Sequence, residues 1–251
     1  MAEFLDLYGD GVVLLGLSNP YRRAAGGVLG QAWRHLRRSG PRLLAYLVVN
    51  MALPRLSAAL ARGAGSLAAL ARARGIPVTV VEDVNGPAFH AALRVARPDL
   101  ILTFHFDGIL SAATIALAPG GGINVHPSLL PRHRGPIPTF WAGMEAEPAH
   151  GVTVHRLVPR IDAGVVLAQR EVALPLGITA SSAARRLHRA AVPLVGEVLA
   201  ALSAGTAAEA PAGALLPYRP FPDRAALRAA RRRGLRLLDL SDIRAAFRIR
   251  A

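Results

Sequence analysis

Ile123-Asn124-Val125-His126-Pro127-Ser128-Leu129-Leu130-Pro131-Arg132-His133-Arg134-Gly135 is the stretch on which the reading of this chain turns. Ile123 to Val125 reads as a short apolar strand that runs straight into a proline-rich loop. Alternate side chains of a strand share a face, so Asn124 and His126 leave its end on the same side. That end is a carboxyl edge of the sheet, where open α/β folds bind ligands. Asp162 lies further on, in the turn Ile161-Asp162-Ala163-Gly164. An amide, an imidazole and a carboxylate on converging loops suit acyl transfer. The first two can hold a developing oxyanion, and the carboxylate can orient the imidazole or accept protons.

Plainer readings stay open at this point. A histidine beside a buried strand is often a satisfied core residue, and Asp-x-Gly is often only a turn. Ser128 lacks the strand-turn-helix elbow and the glycine neighbours of a hydrolase nucleophile. His126, His133, His155 and Asp162 match no helical or turn-based metal spacing, so no metal is expected.

The surrounding pattern sets the fold class. Apolar runs at 11–17, 77–81, 99–104, 123–125, 151–155 and 165–174 read as strands, with helical stretches at 87–95 and 109–117 between them. Strands with helical crossovers imply an α/β, Rossmann-like, mostly parallel sheet with helices on both faces. A long helix opened by Thr179 or Ser181 repeats Leu187, Leu194, Val195, Val198, Leu199 and Leu202 at helical spacing. Residues 24–74 are Ala-, Leu- and Arg-rich and read as helical, broken at Gly40-Pro41 and Pro54. The expected organisation is one domain over 1–205, with a divergent basic part at 11–74 and a core at 75–205. A linker and short basic C-terminal extension occupy 206–251. No Gly-x-Gly-x-x-Gly follows the first strand, so the dinucleotide fingerprint is missing where it belongs.

Composition removes several chemistries. The 251 residues contain no cysteine, and all 30 basic side chains are arginine against 16 acids, for a formal charge of +14. Thiolate metal sites, a cysteine nucleophile and lysine Schiff bases are therefore excluded. The charge is uneven: residues 11–81 hold ten arginines and no acid, whereas 82–218 balance. The longest apolar run, Leu43 to Pro54, falls short of the roughly 20 residues that span a bilayer. Arg34, Arg37, Arg38, Arg42, Arg55 and Arg62 flank it, a pattern that fits either contact of residues 28–62 with an anionic membrane surface or an ordinary core helix. Arg231-Arg232-Arg233 could serve the same surface. Aromatics make up 5% and no recognition motif is present, so a nucleic-acid partner is not expected. Glu3, Asp6 and Asp10 stand where a signal peptide carries basic residues, which leads us to expect a cytoplasmic protein, either free or peripheral at the membrane.

From about Gly75 to Gly205 the chain resembles the catalytic domain of the 10-formyltetrahydrofolate-dependent formyltransferases, a family that includes the glycinamide ribonucleotide, methionyl-tRNA and sugar-nucleotide enzymes. The matching elements occur in order: Asn124-x-His126-Pro127-Ser128-Leu129-Leu130-Pro131, Arg134-Gly135, Gly151-Val-Thr-Val-His155 and Asp162-Ala-Gly164. The resemblance implies direct transfer of a formyl group from 10-formyltetrahydrofolate to a primary amine of a small metabolite, an aminosugar or a lipid-linked amine. It makes Asn124 and His126 the oxyanion stabilisers and Asp162 the group that assists proton transfer. It places the folate against Gly108, Ile109, Leu110, Val158, Ile161 and Asp162, and gives Ser128, Arg134 and Gly135 to substrate binding. A formyl-folate hydrolase and a non-catalytic membrane-surface module are the alternatives. Departures bear on the acceptor. His133 replaces an aromatic before Arg-Gly, no glycine-serine phosphate loop follows the first strand, and residues 26–65 differ from the usual second strand and helix. Only 46 residues follow Gly205, so a tRNA acceptor is not expected.

Overall fold

Prolines and small polar residues decide where the helices of this chain begin. Pro41, Pro87 and Pro138 occupy first-turn positions, where their fixed φ and missing N–H cost nothing. Ser66, Ser111, Thr179 and Asp223 each accept a first-turn N–H through a side-chain oxygen, a cap worth about 1 kcal/mol. The computed structural model describes residues 1–19, 26–60, 66–106, 108–210 and 214–247. Arg62, one of the cations flanking the apolar run, lies outside them.

In chain order the elements are α1 (Ala2–Tyr8), β1 (Leu15–Ser18), α2 (Gly27–Ser39), α3 (Pro41–Leu47), a π-helical turn (Val48–Ala52), α4 (Leu53–Leu60), α5 (Leu67–Ala73), β2 (Val78–Val81) and α6 (Pro87–Ala96). There follow β3 (Ile101–Phe104), α7 (Ala112–Ile115), β4 (Gly122–His126), α8 (Pro138–Ala142), β5 (Gly151–Arg156), β6 (Val166–Glu171), α9 (Ala180–Ser203), α10 (Arg224–Arg232) and α11 (Leu240–Phe247). Every expected strand is present: β2, β3 and β6 are trimmed, β1 is shortened and ends one residue later, and β4 and β5 run slightly longer than expected. The short helices α1 and α11 carry no strong sequence signal and were not anticipated.

The α/β class is as expected, but strand direction changes halfway through the sheet. β1 pairs with β2 in parallel, and a four-stranded sheet runs β3-β4-β5-β6. Its β3–β4 pair is parallel, whereas β4–β5 and β5–β6 are antiparallel. Parallel pairing needs a crossover of a dozen or more residues. The loop from Leu157 to Val165 is too short for one, so β6 must return as a hairpin.

The register across the three central strands places the chemistry. Thr103 on β3 lies opposite Asn124 on β4, and Asn124 lies opposite His155 on β5. Beneath this row, Ile123, Val125, Val152 and Val154 pack against Leu187, Val192 and Val195 of α9. Burying each such side chain is worth about 1.5–3 kcal/mol, so a slip of one residue would forfeit the core as well as the row. A second cluster joins Leu43 and Tyr46 of α3 to Phe140 of α8 and Leu227 of α10. The C-terminal segment folds back onto the start of α9. Ala180 N–H and Ser181 N–H donate to the carbonyls of Arg236 and Leu237. Buried Asp242 accepts from Thr179, Ser182 and Arg185.

Candidate active site

At the carboxyl end of β4 the side chains of the register row form a chain of hydrogen bonds. Thr103 Oγ1–H donates to Asn124 Oδ1 at 2.7 Å. A hydroxyl can donate or accept, so the far side of the amide decides which end is oxygen. His155 Nδ1 lies 2.9 Å from the Arg156 carbonyl, which can only accept, so the ring hydrogen sits on Nδ1. Its Nε2 then accepts from Asn124 Nδ2 at 3.1 Å. One amide hydrogen is used in this way, and the second is left for the cleft that Asn124 lines.

His126 and Asp162 stand next to this donor. Two residues beyond Asn124 on β4, His126 places Nδ1 3.5 Å from Asp162 Oδ1 and Nε2 3.1 Å from the His133 carbonyl. Burial lowers its pKa below 6.5, while the Asp162 carboxylate works to raise it. At neutral pH the ring is therefore uncharged, with oxygen acceptors at both nitrogens. A proton gained during reaction would be stabilised on both sides. Burial opposes ionisation of Asp162, but the His126 and His155 imidazoles and the Gly135 N–H outweigh it and hold the carboxyl at about 2.

The loop carrying Asp162 is held from below. Asp162 adopts a left-handed backbone, φ 47°, which Asp tolerates better than most residues. Its Oδ2 accepts the Gly135 N–H at 2.9 Å. Gly164 is obligatory two residues on, because a Cβ there would lie 1.9 Å from the Arg156 carbonyl oxygen. Gly135 is equally constrained, with φ 121° and 2.2 Å between a built Cβ and the Arg219 carbonyl oxygen.

Asn124, His126, Asp162 and Gly135 all line one cleft of about 570 Å³, within the range of small-molecule sites. Gly108, Ile109, Leu110, Val158 and Ile161 line it too. The expected catalytic trio and the expected folate wall therefore converge. Two expected substrate contacts do not. Ser128 is buried and its hydroxyl donates to the Arg132 carbonyl at 2.8 Å. Arg134 is also buried. Its Nε donates to the Ile161 and Asp162 carbonyls, both at 3.1 Å, and its Nη1 to the Leu216 carbonyl at 3.1 Å. Both serve the loop, not a ligand. The resemblance gives Arg134 to the substrate, but here each of its three nitrogens donates to a backbone carbonyl.

Other cleft residues were not anticipated. Thr103, His105 and His188 line it, as do Tyr46, Asn50, Met51 and Arg55 from α3, the π-helical turn and α4. His188 Nδ1–H donates to the Ala184 carbonyl at 2.8 Å, while its buried Nε2 has no hydrogen-bond partner. Burial and neighbouring His105 depress its pKa to about 3. A signal for His155 existed in Gly151-Val-Thr-Val-His155; for the helical residues there was only an apolar run. Among the described residues no cluster of three or more His, Cys, Asp or Glu could hold a metal ion.

Comparisons with known proteins agree with this arrangement. A family model described as formyl transferase matches residues 68–199, more than half of the chain. Among solved structures, a sugar N-formyltransferase from a Shewanella species superposes with a TM-score of 0.52 and 18% identity, over 84% of this chain and 77% of that one. The formyltransferase PseJ from Anoxybacillus kamchatkensis, solved with UDP-4,6-dideoxy-4-formamido-L-AltNAc and tetrahydrofolate, gives 0.50 and 19% over 83% and 86%. HypX from Aquifex aeolicus gives 0.52 and 24% over 62% of this chain, which spans 28% of that longer protein. At these identities the structures show a shared fold. The family match, together with the sheet-end trio, makes this chain a formyl-transferring enzyme and a member of the formyl transferase family.

Proposed function

We propose that this enzyme moves a formyl group from 10-formyltetrahydrofolate to the primary amine of an aminosugar borne on a nucleotide or a lipid. The observation that carries the reading is the convergence of the Thr103–Asn124–His155 row with His126 and Asp162 on one cleft. The cleft suits a flat heterocycle: Ile109 and Val158 line it and stand 52% and 37% exposed, leaving apolar surface for a ring to cover. Arg55, whose Nη2 also donates to the Ser18 carbonyl at 2.8 Å, and the unpartnered Nε2 of His188 line the same cleft and suit an acceptor with an anionic group and polar hydrogens. PseJ, solved with a nucleotide-linked formamido sugar and tetrahydrofolate, supports both ligands by likeness of fold.

When bound, the folate supplies a formyl carbon whose carbonyl oxygen gains charge as the amine attacks. Asn124 directs its remaining N–H toward that oxygen. The His133 carbonyl holds the hydrogen of neutral His126 on Nε2, so Nδ1 is free to take up a proton and, once protonated, can donate to the same oxygen beside Asp162. The amine attacks as the neutral base, and its nitrogen turns cationic as the new carbon–nitrogen bond forms. A proton then passes from it, directly or through water, to His126 Nδ1; Asp162, ionised at any working pH, assists the transfer and steadies the charged ring. The proton returns to the departing folate nitrogen as the old carbon–nitrogen bond breaks.

Incubating the purified protein with 10-formyltetrahydrofolate and a panel of aminosugar nucleotides tests this. The expected result is amine-dependent release of tetrahydrofolate together with a product heavier by one formyl group. Formate release without any amine would favour the hydrolase reading. No deformylation with any amine would end the proposal.

A further inference from the structure

The helices that wall the cleft also bear an unusual outer surface. On α2, Leu29 and Trp33 are 84% and 59% exposed, and their spacing of four residues puts them on one helical face. Val28 beside them is also exposed, and so are Arg37 and Arg38 in the last turn. No acidic residue lies anywhere between 11 and 81. α10 packs beside α2 through an Arg224 Nη2 bond to the Leu36 carbonyl at 3.1 Å and a His35–Phe221 ring contact at 4.9 Å. Its exposed Arg228, Arg231 and Arg232 extend the cationic surface.

An apolar anchor containing a tryptophan and rimmed by arginines complements an anionic bilayer. The indole and the leucine enter the boundary of the acyl region, and the guanidinium groups meet the phosphates. A second copy of the chain fits this face poorly, because a two-fold contact would set one cationic face of α2 against another, with no acid between residues 11 and 81 to pair with it. No described helix is long and apolar enough to cross a membrane, so contact would be with the surface alone.

We infer that α2, with its flanking arginines, docks the enzyme on an anionic lipid bilayer and holds the cleft beside the headgroups. α2 passes through Gly40 directly into α3, and α3 to α4 supply Tyr46, Asn50, Met51 and Arg55 to the cleft. The catalytic opening therefore lies one helix away from the docked face, within reach of an acceptor held in the membrane.

Co-sedimentation of the full chain with vesicles tests the inference, using phosphatidylcholine alone against equal parts phosphatidylcholine and phosphatidylglycerol. Binding is expected only to the anionic vesicles and should weaken with added salt. Changing Arg37 and Arg38 together to Gln should weaken it by about 30-fold. Changing Leu29 and Trp33 together to Ser should weaken it by at least about tenfold. All four side chains are exposed and outside the cleft, so both variants should keep the wild-type melting temperature and formyl transfer to a soluble amine. Absence of binding to anionic vesicles would overturn the inference, as would unchanged binding in both variants. So would a solution dimer that the Leu29 and Trp33 changes split into monomers. Because vesicle binding needs no folate, its failure and the failure of the proposed reaction are read separately.

Discussion

Two walls bound the cleft, and they are built by different means. One is the sheet edge, where pairing between β3, β4 and β5 fixes Thr103, Asn124 and His155 in a single row. The other is helical, formed by α3, the π-helical turn and α4. The family match at 68–199 takes in the first wall and leaves out the second. The difference teaches where the two halves of the reaction reside. On the proposed reaction, formyl activation would depend on a register that cannot shift without losing the core, whereas the acceptor would meet the helical wall, which lies outside the family match.

The most severe way to probe the sheet wall is Asn124→Ala. It removes the oriented N–H and should lower kcat by about 100- to 1,000-fold with little change in folate KM. Steady-state kinetics with both substrates checks this. Arg134→Met tests whether the sheet wall needs its support from below. Leaving the Ile161, Asp162 and Leu216 carbonyls without their donor should cost about 3 kcal/mol of stability, read by urea unfolding. Thr103→Val keeps shape but frees the Asn124 amide to turn over, and a fall of about tenfold in kcat is expected. Equal loss in Thr103→Val and Asn124→Ala would show that the brace and the donor act as one unit.

The helical wall should answer differently. Arg55→Gln is expected to raise the acceptor KM by about tenfold, the worth of one charge-assisted hydrogen bond, and leave the folate KM unchanged. A matching change in folate KM would erase the division between the walls. The smallest effect concerns pH. His126 must be neutral to take up a proton, and its pKa is held below 6.5, so kcat/KM should fall only below that pH. Asp162 raises that pKa, so Asp162→Asn should move the acid limb lower still, as a full pH profile of the residual activity would show. Folding stability has the same sign. His126 and His188 keep depressed pKa values in the folded state, so the unfolded chain takes up their protons first. Stability is full above about pH 6.5 and declines as pH falls toward 3. His188→Leu should flatten that decline.

Much of the sheet wall was legible because its signals are local. Asn124 and His126 share a face through strand alternation alone, and Asp162 stands in an evident turn. Thr103 and His155 were not assigned roles, because cross-strand partners depend on register, which is set by long-range packing. The reversal at β5 and β6 was hidden for the same reason. Ser128 and Arg134 misled because small hydroxyls and long cations can satisfy themselves on nearby backbone, and a sequence does not show which carbonyls are within reach. The run 43–54 was read as a membrane-proximal apolar segment. In the fold it divides: Leu43, Tyr46 and Val49 are buried, while Asn50, Met51 and Pro54 turn to the cleft.

The spacing of Asn124 and His126 along β4 has a genetic consequence. A one-codon deletion just before Asn124 would rotate both side chains to the opposite side of the pleat at once. A change of length within these five residues of strand is therefore expected to remove both groups from the cleft in a single event.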